Sequence, residues 1–155
     1  INKKCQQPDF KHICNEGIIH RLPKVNHPVY YGGPILTNVV GVLHSTDFIL
    51  SSTNTLTEDK VGFTLDRKML EVIARGQGPK NMLITLGMAN WTTGQLEEEL
   101  EHPRNPAMSW LIMDYDEKFV FGQLEGDKSD DLWESCVSQA IRDKTREITS
   151  KVFKN

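Results

Sequence analysis

Residues Asn81–Leu100, NMLITLGMANWTTGQLEEEL, carry the pattern from which the fold is read. Asn81 to Met88 is a nearly continuous apolar run of strand length, the mark of a buried strand. Asn90 to Gly94 then supply turn chemistry, and an acidic helix follows. Thr92 and Gln95 have the spacing of a capping box, in which the Thr hydroxyl accepts from the third helical N–H and the Gln side chain returns to the N–H of the cap. A helix start with Gly94 in its first turn also offers free N–H groups of the kind that hold phosphate or carboxylate. Glu97, Glu98 and Glu99 follow at once; they suit the helix dipole and repel an anion, so the stretch reads as a helix start. Trp91 is left over by capping: it is either packed in the core or lid, or a stacking platform.

Working outward, strands and helices alternate with no internal repeat and no low-complexity linker. Asp9 is placed to cap a helix carrying Phe10, Ile13, Cys14 and Ile18, with Gly17 near its end. Val29-Tyr30-Tyr31 reads as a strand stopped by Gly32-Gly33-Pro34, and Asn38 to His44 as a second, with short strands at Phe48 to Ser51 and Lys60 to Thr64. Asp66 is the N-cap of a helix whose Met69, Leu70 and Ile73 share a face and which ends at Arg75-Gly76. Trp110 to Met113 and Phe119 to Phe121 read as strands. A long helix runs from about Asp130 to Phe153, with Leu132, Trp133, Cys136, Val137, Ala140 and Ile141 in one stripe; its first half is expected to pack on the sheet.

A chain of 155 residues with 38% hydrophobic content suffices for one domain, burying roughly 70% of the surface of the unfolded chain. Three cysteines, Cys5, Cys14 and Cys136, are too few and scattered for a disulfide framework and point to a reducing, cytoplasmic location. No run approaches the roughly 18 apolar residues of a membrane span, so no membrane partner is expected. The net charge of −3 divides into +3 from Ile141 onward and −6 before it. So acidic a body disfavours nucleic acid except through the C-terminal helix, whose cations serve equally well as a solvated face.

Motifs for catalysis are missing: there is no G-x-S-x-G, no Walker A sequence and no H-E-x-x-H. The histidines at 12, 20, 27, 44 and 102 lack ligand spacing, so neither a metal nor a cofactor is expected. One constellation is a candidate ligand site: Tyr31, Gly32 and Gly33, then His44 and Ser45, then Trp91, Thr93 and Gln95. All three groups lie at the ends of expected strands, where ligand groups collect, and the glycines would let a ligand or another backbone approach closely. His44 would be a general base and Ser45 or Thr93 a polar contact. The competing reading makes the glycines a turn, His44 a satisfied half-buried side chain and Trp91 packing.

Tyr30-Tyr31-Gly32-Gly33-Pro34, Val42-Leu43-His44, Ala74-Arg75-Gly76-Gln77-Gly78-Pro79, Leu86-Gly87-Met88-Ala89-Asn90-Trp91 with Gly94-Gln95-Leu96-Glu97, and Trp110-Leu111 resemble, in order and spacing, the AlgH/YqgE family of bacterial proteins. Met88 and Asn90 depart from its usual pattern, and Pro103 to Ala107 lengthen one connection. Ile1 to Lys4 resemble the end of a strand some way into the family domain, so a family-like N-terminal segment is expected to be missing. The resemblance implies an α+β fold over 1–155, a mixed, coiled and bifurcated sheet with flanking helices. It also implies a regulatory, transcription-associated protein with no established chemistry, whose partner is a protein or a small molecule. Two alternatives stand beside this: a hydrolase or transferase using a His44/Trp91 cleft, and a nucleic-acid binder using the basic C-terminal helix.

Overall fold

A computed structural model describes residues 3–15, 22–101, 110–122 and 129–152. The elements run α1 (Phe10–Ile13), β1 (Val29–Tyr31), β2 (Ile35–Ser45), β3 (Asn54–Leu56), β4 (Val61–Thr64), α2 (Arg67–Ala74), β5 (Met82–Met88), α3 (Gln95–Glu101), α4 (Glu117–Phe121) and α5 (Ser129–Val152). The strands make one five-stranded sheet in the order β1-β5-β2-β4-β3. β1 runs parallel to β5 and the remaining pairs are antiparallel, so the fold is α+β with a mixed sheet. Chain contacts divide into two compact units, 1–90 and 91–155.

The first unit holds the sheet and its core. The register sets Val42 opposite Ile84, Val40 opposite Leu86 and Val29 opposite Ile84, so these side chains share one sheet face. Phe10 and Ile13 of α1 and Met69, Leu70, Ile73 and Ala74 of α2 pack with Val29, Val40, Val42 and Ile84. The α2 positions recur at helical spacing, and full burial of a side chain such as Ile73 stabilises by about 1.5–3 kcal/mol. Both helices start where their caps allow: Asp9 accepts from the N–H of His12 and Asp66 from that of Lys68. α2 stops at Gly76, whose φ of +72° is the left-handed C-terminal conformation. Residues 17 and 18, expected in the first helix, lie outside the described residues.

Four expectations are corrected. β2 is longer than the expected strand from Asn38, starting at Ile35 with a register shift before Val40 and Leu36 at φ 51°. Phe48 to Ser51 form no strand; a turn from Leu50 to Thr53 follows instead, closed by Thr53 N–H to the Leu50 carbonyl (3.0 Å) and Leu50 N–H to Thr53 Oγ1 (2.9 Å). Phe48 and Leu50 still pack on the core, which explains their apolar character; the strand is the exposed Asn54–Leu56 instead. Trp110 to Met113 adopt no strand, and Phe119 to Phe121 lie in α4, not in a strand. A three-residue apolar run has no readable period, and the deciding signal was Asp116, which accepts from the N–H of Lys118 at 3.0 Å and caps the helix. α5 appears over nearly the expected span, but its stripe divides: Ala140 is buried while Trp133 and Ile141 are each 59% exposed.

Candidate functional site

The sheet register separates two of the three groups in the sequence-derived constellation. Tyr31 ends β1 at the level of Leu86, whereas His44 pairs with Met82. β2 runs antiparallel to β5, so its C-terminal end lies about 13 Å down that strand, toward the opposite end of the sheet. Trp91, Thr93 and Gln95 belong to the second unit.

Gly32 and Gly33 are explained by another backbone. The N–H of Gly32 donates to the Leu86 carbonyl at 2.8 Å, and a Cβ on Gly32 would stand 2.0 Å from the Gly87 oxygen. Gly87 returns the contact with φ +72° and its own Cβ position 2.4 Å from the Gly33 oxygen, so the two segments cross at a distance that only glycine permits. Tyr31 is half exposed, and its N–H donates to the Lys3 carbonyl at 2.9 Å.

His44 has no exposed surface. Its Nδ1 lies 2.9 Å from the Ser45 carbonyl, an acceptor only, so Nδ1 carries the proton. Nε2 then accepts from Thr64 Oγ1 at 2.9 Å; Thr64 accepts from Thr53 Oγ1 at 2.8 Å, and Thr53 from the Leu50 N–H. Every proton in this chain has a partner, as a buried polar network requires. The ring lies against Gly62, where an added Cβ would come within 2.5 Å of Cε1. Ser45 serves a turn: its hydroxyl donates to Asp47 Oδ1 (2.5 Å) and accepts from Asn81 N–H (3.1 Å). That hydroxyl, with the N–H of Lys80, holds the Asp47 carboxyl below the usual carboxylate range.

In the second unit the helix start forms differently from the expected box. Gln95 is the first helical residue; its Oε1 accepts both the N–H and the hydroxyl of Thr92, at 3.1 and 3.2 Å. Only the returning half of the box is thus present. Thr93 lies exposed in the turn. Trp91 Nε1 donates to Glu99 Oε2 at 3.4 Å, and Trp110 Nε1 donates to the same oxygen at 3.3 Å. Sequence reasoning missed Glu99 and Trp110; the signal was the i, i+4 spacing of Gln95 and Glu99, whose side chains bond at 3.2 Å. Among the described residues no group of three or more His, Cys, Asp or Glu side chains is placed to hold a metal ion, and no helix is long and apolar enough to cross a membrane.

The glycine crossing, the buried His44 and the Trp91 helix start lie in the segments that resemble AlgH/YqgE proteins, and an AlgH-like family model (DUF179) matches residues 1–144. The chain belongs to the AlgH-like family. It is 33% identical over 138 residues to a UPF0301 protein of Bradyrhizobium sp. strain BTAi1, covering 84% of this chain and 62% of that protein. It is 40% identical over 99 residues to a UPF0301 protein of Ralstonia nicotianae, covering 64% of this chain and 49% of that one. The solution structure of the AlgH protein from Pseudomonas aeruginosa superposes with a TM-score of 0.65 at 25% identity, over 91% of this chain and 69% of that chain. The chain thus spans about half to three fifths of the length of these two curated relatives.

Proposed function

We propose that this AlgH-like chain is a non-enzymatic regulatory protein that acts by binding another protein or a small ligand, in keeping with the transcription-associated role its family resemblance implies. The observation that carries the reading is His44: its two ring nitrogens are both engaged inside the sheet and none of its surface is open, so it has no nitrogen to offer a substrate proton. The thiols agree. Burial pushes Cys5, Cys14 and Cys136 above the ordinary thiol range, away from the reactive thiolate. All three are free, which suits a reducing, cytoplasmic compartment.

Native mass spectrometry of the full-length protein, purified gently from its native cell extract, tests this. A stoichiometric protein or small molecule retained on the chain supports it. Hydrolytic or group-transfer turnover that disappears in a folded His44→Ala variant would overturn it. Nucleic acid retained with a steep salt dependence, and lost when Arg142 and Arg146 become Ala, would move the function to the basic end of α5.

A further inference from the structure

An open cleft of about 670 Å³ lies within the second unit, lined by Lys118 and Phe119 of α4 and by Glu134, Ser135, Ser138 and Arg142 of α5. Its volume falls inside the roughly 300–1,000 Å³ of small-molecule sites. The four α5 residues recur at helical spacing and share one exposed stripe of that helix. Ser138 and Arg142 are neighbours one turn apart, whereas Glu134 lies two turns from Arg142, about 12 Å along the axis. Along α5 the cleft therefore has a basic end and an acidic end. From α4, Lys118 Nζ stands 4.7 Å from the centre of the Phe119 ring and 3.1 Å from Asp116 Oδ2.

The donors at the basic end fix one half of the ligand. Arg142 gives one N–H to Gln139 Oε1 at 2.8 Å, and among the described residues it is in no ion pair, so its fork has donors to spare. Lys118 is 63% exposed, and an ion pair so open to water holds its ammonium weakly. With the Ser138 hydroxyl these groups outnumber what the two oxygens of a carboxylate accept and suit the three terminal oxygens of a phosphate monoester. Asp116 competes for Lys118, so the site rests on Arg142 and its affinity is modest. Glu134 does not cancel the anion end, because about 12 Å exceeds the roughly 8 Å Debye length at physiological ionic strength. Its carboxylate and the Ser135 hydroxyl suit hydroxyl groups instead, and Phe119 adds apolar surface; a bare inorganic anion leaves both unused. We propose that this cleft binds a phosphate monoester with a hydroxylated body, the phosphate on Arg142, Ser138 and Lys118 and the hydroxyls on Glu134 and Ser135. A sugar phosphate and a nucleotide share this chemistry. The inference rests on the binding-protein reading above and names its ligand class.

Ribose-5-phosphate and inorganic phosphate are titrated separately into the isotope-labelled full chain and followed by amide NMR shifts. The expected result is saturable shifts at α4 and at residues 134–142, with the ester binding about fivefold tighter than inorganic phosphate, the fold-change of one net hydrogen bond. Arg142→Gln weakens both about tenfold. Glu134→Ala brings the ester down to the level of inorganic phosphate and leaves inorganic phosphate unchanged. Both variants alter exposed side chains, so the fold is kept and the comparison stands. Adenosine monophosphate separates the two sources: tighter binding than the sugar phosphate, with the excess lost in Phe119→Leu, assigns a nucleotide, and equal binding assigns a sugar phosphate. A titration without saturation overturns the proposal. So does an ester that binds no tighter than inorganic phosphate, or binding that Arg142→Gln leaves unchanged, which is attraction to the general charge of the chain. Failure of both esters beside a protein or another small molecule retained in the native mass measurement removes this cleft and leaves the binding reading standing. Turnover lost with His44→Ala removes that reading by a separate route.

Discussion

Replacing His44 with Ala separates an architectural role from a catalytic one by magnitude. The ring is fully buried, so its loss opens a cavity, and truncations of comparable buried side chains cost about 2–5 kcal/mol. The change also strands the buried Thr64 hydroxyl, at a cost of about 1–3 kcal/mol before water enters the space, and removes a donor from the part-buried Ser45 carbonyl at a smaller cost. Allowing for that water, the expected loss is about 3–5 kcal/mol, a large share of the roughly 5–15 kcal/mol that holds a domain together. At this chain length it lowers the melting temperature by roughly 6–20 °C. Thr64→Val, which keeps the shape and deletes the hydroxyl, should cost about 1–2 kcal/mol. The double variant should fall short of the sum by about 1 kcal/mol, because the two residues share one hydrogen bond. Urea unfolding followed by circular dichroism measures all three. A His44→Ala loss under about 1 kcal/mol, or additive costs within about 0.3 kcal/mol, refutes the reasoning.

Gly32→Ala should cost about 3 kcal/mol in thermal unfolding, since its Cβ meets the Gly87 carbonyl and neither strand can yield; Gly94→Ala, with open space but φ +81°, should cost only about 1 kcal/mol, and a reversed order would contradict the crossing described here. Thr57, Glu58 and Asp59 form a hairpin tip with φ of 54°, 53° and 63°, so Thr57→Gly should stabilise by about 0.5–1 kcal/mol net of chain entropy; an unchanged or lower melting temperature would show that the tip is unstrained. Stability should fall in two steps on acidification. Burial lowers the His27 value below its ordinary 6.5, so the unfolded chain takes up that proton first and stability declines as pH drops through 6.5; His27→Gln should abolish this step in urea midpoints. Asp9, Asp47 and Asp66 are held below the ordinary 3.8, chiefly by hydrogen bonds from Asn26, Ser45 and the Lys68 N–H respectively. Their contribution is present above 3.8 and is lost as pH falls toward their folded values, so a flat profile there would contradict these contacts.

Sequence alone determined the features that depend on near neighbours. Asp9 and Asp66 cap their helices because a carboxylate reaches N–H groups two or three residues ahead, and Gly76 ends α2 because only the local backbone is involved. The run from Met82 to Met88 had to be buried in a sheet whatever it paired with, and the spacing of Met69, Leu70 and Ile73 fixed the inner face of α2. Short runs such as Phe119 to Phe121 are too brief to show a period, so a single cap residue decided them. The candidate site was the part only tertiary structure could decide. Strand ends are visible in a sequence, but which end of the sheet each occupies depends on pairing direction, and β1 runs with β5 while β2 runs against it. That choice sent Tyr31 and His44 toward opposite ends of the sheet, spent Gly32 on the Gly87 backbone and sealed His44 against Thr64. Likewise the meeting of Trp91 and Trp110 on Glu99 is a matter of chain path, because contacts between residues far apart in sequence are set by packing and leave no periodic trace in the chain.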